Sequence, residues 1–437
     1  MSPPPRSGTQ LWGGVECTVN RVRERYFNQL RRSGHWTRND DLDRFAELGL
    51  RTLRFPLLWE TVAPESPTKF DWSWADEGLA RVGALGIRPI VGLLHQGSGP
   101  RYTDLTDPLF PEKFCHFASE VARRYPWLDA FTPINEPLTT ARFSGLYGHW
   151  YPHAGDDATF IKILLNQLRA TLLAMASIRE INPAAILIQT EDLGRTFSTR
   201  AMRYQADFDN ERRWLTWDLL LGKVRPGDRM WDYLRSAGTL RKEIEFFSAQ
   251  RCEVTMLGIN HYVTSDRYLD EKVTNYPLEL RGNNGRQAYA DDAAVRARPT
   301  ITGGFRTVIA EAHNRYALPM ALTEVHLGCG VDEQMRWFHE AWTSANITQQ
   351  RGMDVRAVTA WALLGSFDWD SLVTREASYY EPGAFDLRRD GPHPTRYAEM
   401  LRKLAHGKVF EDPVLQSSGW WRERSRLRLL KKVELAA

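Results

Sequence analysis

Two glutamates close short apolar runs in this chain, Glu136 in Thr132-Pro133-Ile134-Asn135-Glu136-Pro137 and Glu324 in Ala321-Leu322-Thr323-Glu324-Val325-His326. Cleavage of a glycosidic bond needs two facing carboxyl groups, one to give and take a proton and one to attack or stabilise the anomeric carbon. The preceding runs, 130–134 and 318–322, are short and largely apolar, as in strands buried on both faces of a parallel sheet. A glutamate ending such a strand emerges at the sheet's carboxyl edge, where barrel active sites lie. Alone, Asn-Glu-Pro is a weak tripeptide, and a strand-end glutamate is more often a solvated or structural group. A second glutamate on a second such strand gives the spacing a mechanism.

Eight apolar runs could position these groups: 11–18, 51–57, 87–95, 130–135, 185–190, 256–260, 318–323 and 355–363. Between them lie helical patterns, among them 40–48, closed by Gly49, 111–125, with Phe114, Phe117, Ala118, Val121 and Ala122 on one face, and 159–181, ended by Asn182-Pro183. The alternation predicts an α/β fold, a (β/α)8 TIM barrel in a single domain over 11–410; an open doubly wound sheet is the alternative. Residues 1–10 form an N-terminal extension and 411–437 a basic, amphipathic C-terminal extension, in which 420–432 is expected to be a helix packed on the barrel's outside. The polar, aperiodic stretch 264–302 is expected to be a long βα loop shaping substrate access.

Composition bounds the rest. The 437 residues are 43% hydrophobic and 25% charged with a net charge of +3, which gives no argument for nucleic-acid or membrane binding. No run is expected to reach the length of a membrane span, and the first residues lack a signal peptide's apolar core, so a cytoplasmic location is expected. Cys17, Cys115, Cys252 and Cys329 are far apart without C-x-x-C pairing, and free thiols are expected rather than a metal site or disulfides. Most of the sixteen tryptophans are expected in packing, with a few as platforms for the apolar face of a pyranose.

Further motifs follow in order. Leu11-Trp12-Gly13-Gly14, Leu53-Arg54-Phe55-Pro56-Leu57-Leu58-Trp59-Glu60, Pro89-Ile90-Val91-Gly92-Leu93-Leu94-His95, Asn135-Glu136-Pro137, Gly258-Ile259-Asn260-His261-Tyr262, Leu322-Thr323-Glu324 and Trp361-Ala362-Leu363-Leu364-Gly365-Ser366-Phe367-Asp368-Trp369 together resemble the family 1 glycoside hydrolases, in a divergent bacterial-type branch, over roughly residues 10 to 400. The resemblance implies Glu136 as acid/base and Glu324 as nucleophile, with Arg54 and Tyr262 supporting the nucleophile. It also implies Asn135, at the 2-hydroxyl, His95, Asn260, Trp361 and Trp369 as substrate contacts. Glu136 must then be protonated to assist the leaving group, and Glu324 ionised to attack. Retention of β configuration follows for carboxyls about 5 Å apart.

Departures from the family pattern fall where the 3-, 4- and 6-hydroxyls bind, so a glucose preference is not implied. Asn20 stands where the family has Gln, with Glu16 four residues earlier; Asp368 stands for Glu and Gln96 for Trp, and Val325-His326 follows the nucleophile in place of Asn-Gly. Glu191, in Glu191-Asp192 at the end of the fifth run, is expected to cap a helix or order a loop, with a branch-specific substrate contact as the other possibility.

The expected activity is that of a retaining β-glycosidase acting on a small β-glycoside or oligosaccharide, without metal or organic cofactor and with carbohydrate as its partner. The alternatives are a transglycosylase using the same intermediate and a catalytically silent sugar-binding barrel linked to sugar biosynthesis. No G-x-G-x-x-G follows a strand to supply a nucleotide-binding domain. The presence of Glu136, Glu324, Arg54 and Tyr262 together argues against the silent barrel.

Overall fold

The structure, a computed structural model, describes residues 8–427 apart from 39, 251 and 299–302. Eight parallel strands, β1 (Gln10–Gly14), β2 (Thr52–Pro56), β3 (Arg88–His95), β4 (Ala130–Asn135), β5 (Ile186–Asp192), β6 (Met256–Asn260), β7 (Met320–Val325) and β8 (Val355–Ala360), close into a barrel in chain order. Pairing of β1 with both β8 and β2 completes the ring. All residues of β2, β4, β6 and β7 are buried, because helices cover the outer face and side chains fill the inner one. Trp12, Ile90, Ala130, Ile188, Met256, Ala321 and Ala357 form the inner cluster, separate from the large core between strands and helices.

The helix Asp157–Ile181 begins at Asp156, whose side chain accepts from Thr159 N at 2.8 Å. By length and composition it could cross a membrane, contrary to the sequence expectation that no run reaches that length. Its apolar face, with Ile161, Leu164, Leu168, Met175 and Ile178, is buried in the barrel's core. An unbroken apolar stretch of this kind suits a core helix of a large domain equally well.

Two parts of the chain differ from expectation. The stretch 264–302 is not an irregular loop: Arg267–Asp270, Arg281–Asn283 and Ala288–Ala293 are strands in a four-stranded sheet with Thr196–Ser198 from the β5 connection. Leu269 anchors this sheet on Met202 and Ala206 in a satellite core. Within 420–427 the chain forms the 3-10 turns Trp420–Arg422 and Arg424–Arg426 rather than an amphipathic helix. Several contacts attach it: Trp421 packs edge-on against Trp337 at 5.1 Å and donates to Glu340 at 3.0 Å, Trp420 N donates to Glu333 at 3.2 Å, and Arg426 donates to Arg298 O at 3.0 Å. The rest of the expected helix, 428–432, and residues 1–7 of the N-terminal extension lie outside the described residues. All four cysteines are free thiols.

Candidate active site

Glu136 follows β4 with φ 46° and ψ 59°, a left-handed conformation for a residue with a Cβ, which costs about 1–3 kcal/mol. Its neighbours fix it there. Pro137 opens the next helix, Pro137–Ala141, where its missing N–H is not needed. Glu191, fully buried at the end of β5, accepts from Leu138 N at 2.8 Å, Thr139 N at 3.1 Å, Thr139 Oγ1 at 2.9 Å and Thr216 Oγ1 at 2.7 Å. Both Glu191 oxygens are therefore engaged. Glu191 caps the helix that carries the acid/base candidate rather than offering a free carboxylate to a sugar.

The Glu136 carboxyl is held on both sides, with Gln96 Nε2 donating to Oε2 and Asn260 Nδ2 to Oε1, each at 2.6 Å. Burial, and then the negative charge of Glu324, hold its pKa well above the usual carboxylate range, with the Asn260 bond opposing. Gln96, itself at φ 54°, is steadied by Thr18 Oγ1 at 3.0 Å. Asn260 accepts from Thr323 Oγ1 at 2.6 Å, so one amide links Glu136 to the residue before Glu324.

Glu324 sits where the pairing of β7 with β6 and β8 shifts register past Leu322, an irregularity that re-aims a side chain. Arg54 Nη1 donates to Oε1 at 2.7 Å and the Tyr262 hydroxyl to Oε2. The same guanidinium reaches Thr323 O at 2.9 Å and Asn135 Oδ1 at 2.8 Å, and lies 4.6 Å from the Trp361 ring centre. Asn135 Oδ1 also accepts from Thr190 Oγ1 at 2.7 Å. Burial, then Glu324 and Glu136, push the Tyr262 phenol well above its usual pKa, so it remains a donor. His95 stacks on Trp361 at 5.4 Å, and burial followed by the Arg54 charge depresses its pKa and keeps the ring neutral. Gly14 is required here, because a Cβ would lie 2.6 Å from the Trp361 ring.

The glycone-side candidates divide. Glu16 accepts from Thr18 N at 2.9 Å and bonds Trp361, and its pKa is raised by burial. Asn20 donates to Val373 O at 3.1 Å, but its Oδ1 is buried without a partner, as is the Trp369 indole N–H on the same 368–373 turn. A buried acceptor and a buried donor left open invite a ligand's hydroxyls. Asp368 also orders its own loop: Oδ1 accepts from Tyr379 N at 2.8 Å and Ala377 N at 3.2 Å, while Oδ2 pairs with Arg32 at 3.1 Å.

Three contributors were not picked out from the sequence: Thr18, Thr190 and Thr323. Thr190-Glu191 and Thr323-Glu324 repeat one pattern at two strand ends, the signal that could have found those two; Thr18 had none. Among the described residues no group of three or more His, Cys, Asp or Glu side chains could hold a metal ion.

No protein-family model matches the chain. Solved structures do match. A β-glucosidase from Thermotoga maritima in complex with methoxycarbonyl-substituted glucoimidazole superposes with a TM-score of 0.74 at 13% identity, covering 93% of this chain and 99% of that one. The family 1 β-glucosidase of the same organism gives 0.73 at 14% identity, over 94% and 99%, and its complex with cyclophellitol 0.72 at 13%, over 94% and 99%. This chain shares their fold. The barrel closure described above is the common feature.

Proposed function

We propose that the chain is a retaining β-glycosidase working by double displacement. The observation that carries this reading is the contrast between the two carboxyls: Glu324 clamped by Arg54 and Tyr262, Glu136 buried opposite it with a raised pKa. A buried carboxyl kept protonated suits a general acid, and a carboxyl bonded by a guanidinium and a phenol suits a nucleophile.

In the first step Glu324 attacks the anomeric carbon as Glu136 gives its proton to the departing oxygen, leaving a covalent glycosyl-enzyme. Ester formation removes the Glu324 charge, which after burial is the next influence keeping Glu136 protonated. Glu136 then takes a proton from water, which attacks the same carbon from the face the leaving group vacated, breaking the ester bond and releasing Glu324 as a carboxylate. Arg54 holds Asn135 beside the ring while it orients Glu324, so one cation aligns nucleophile and sugar contact together. The likeness to β-glucosidases supports a β-linked glycone without specifying it.

The test is a panel of aryl β-glycosides run beside Glu324→Gln. Hydrolysis of at least one, abolished in the variant, is the expected outcome. Hydrolysis that persists in Glu324→Gln would reject the assignment, and inertness of the folded protein across the panel would favour a binding role.

A further inference from the structure

The basic C-terminal stretch crosses the outside of the barrel and closes a recess there. On the helix Val331–Gln350, Arg336, His339, Glu340 and Thr343 fall three and four residues apart and share one face, opposite the stripe of Met335, Phe338, Ala341 and Ala345 that enters the core. The 3-10 turn Pro413–Gln416 and the residues after it lie over this polar face. Arg336 holds them, donating from Nε to Val414 O at 2.9 Å and from Nη2 to Ser417 Oγ at 2.8 Å. Arg306 joins from the helix Phe305–Tyr316. Arg306, Arg336, His339, Leu415, Ser418 and Arg422 are among the residues lining the recess, whose volume is about 390 Å³, within the range of about 300–1,000 Å³ usual for small-molecule sites.

The lining carries more positive charge than its own acids neutralise. Arg336 pairs with Glu333 and Arg422 with Glu340, which fastens the segment to the helix. Arg306 is exposed and has no ion-pair partner among the described residues. His339, half-buried, makes no hydrogen bond among them either. Burial lowers its pKa, which leaves a neutral ring with an N–H to donate. The Arg422 side chain keeps 40% of its surface open, so N–H groups beyond the one given to Glu340 remain for a ligand. The surroundings are positive as well: burial first, and then the charges of Arg422 and Arg296, lower the pKa of Arg426.

We propose that this recess binds a small phosphorylated metabolite, its phosphate held by Arg306, Arg422, His339 and the Ser418 hydroxyl, with its organic part against Leu415. Guanidinium forks suit phosphate oxygens. The donors come from three elements, the two helices and the C-terminal segment, which the three oxygens of a phosphate ester can meet and the two of a carboxylate cannot. A concave site with one unpaired arginine fits a single anion better than a nucleic acid, whose run of phosphates calls for a row of cations. None of the residues lining the recess belongs to the arrangement around Glu136 and Glu324, so the site stands whether or not the chain is a glycosidase.

The experiment titrates the full chain with phenyl phosphate and with benzoate by isothermal calorimetry at about 0.15 M NaCl, where diffuse attraction between exposed charges is largely screened. Phenyl phosphate is expected to bind with a Kd of about 1 mM or tighter, and benzoate about tenfold more weakly or worse. The Arg306→Gln, His339→Leu double variant removes two side chains that hold nothing else among the described residues, and is expected to keep native circular dichroism while weakening phenyl phosphate about tenfold or more. Ser418→Asp, at an exposed position, sets a negative charge in the recess without touching either side chain and is expected to produce a similar loss. Absence of phenyl phosphate binding to the wild type overturns the proposal, whether or not the variants fold. So does benzoate binding as tightly as phenyl phosphate, or an affinity that a folded variant leaves unchanged, which would put the anion elsewhere, the catalytic cleft included. Binding of a single-stranded DNA oligonucleotide without binding of phenyl phosphate would also overturn it, in favour of a surface for polymers.

Discussion

At the scale of the residue, Glu136 is balanced between opposing influences. Burial and the facing Glu324 favour its neutral form, and the amide donors of Gln96 and Asn260 favour the anion. Gln96→Leu removes one donor to the anion, so the Glu136 pKa is expected to rise further and the alkaline limb of the kcat/KM profile to move to higher pH. A limb that stays or falls would show that Gln96 does not act on Glu136. Tyr262→Phe takes a donor from Glu324. A hydrogen bond to a charged group contributes about 1.5–3 kcal/mol, so kcat/KM is expected to fall roughly ten- to a hundredfold, measured on the same aryl glycoside. Arg54 stays in place in that variant and keeps its bond to Glu324.

At the scale of the element, the left-handed turn at Glu136 depends on the helix that follows it, and that helix depends on Glu191. Glu191→Ala leaves Leu138 N–H, Thr139 N–H and the Thr216 hydroxyl without their buried acceptor. A loss of about 1–3 kcal/mol in urea unfolding is expected, together with lower kcat as the acid/base loosens. Unchanged stability would contradict the capping role. The barrel strands were legible in the sequence because a strand covered on both faces reads as a continuous apolar run, and the runs 130–135 and 256–260 match β4 and β6 end to end. The small sheet was not, because two of its strands, Thr196–Ser198 and Arg281–Asn283, have three residues each and no buried position, and the first lies far back in the chain. Long-range pairing also hid the partners of Asp368: its identity was plain, but not that Arg32 and two backbone amides would bond it. The turns at 420–426 escaped because scattered contacts of Trp420, Trp421 and Arg426 with distant residues, not a periodic face, attach them.

At the scale of the whole molecule, Glu60 links stability to pH. It is buried beside the turn after β3, accepts from Gly99 N at 3.1 Å and has an Oε2 with no partner. Burial raises its pKa from 4.5 to about 8. The folded chain therefore keeps a proton that the unfolded chain releases above 4.5. The stabilisation is complete below that value, declines as pH rises and is gone above about 8. Glu60→Gln, which cannot ionise, is expected to flatten the dependence of unfolding free energy on pH across that window, by an amount on the order of a few kcal/mol. An identical slope in the variant would place the raised pKa elsewhere. On the proposed mechanism Glu324, bonded by Arg54 and Tyr262, attacks while Glu136, whose pKa burial raises, gives the proton. The most direct test is to trap the intermediate with a 2-deoxy-2-fluoro-β-glycosyl fluoride of the preferred glycone and to locate the adduct by peptide mass spectrometry. A glycosyl ester on Glu324 is expected; an adduct on another carboxyl, or release of the inverted α-anomer without any adduct, would contradict the mechanism.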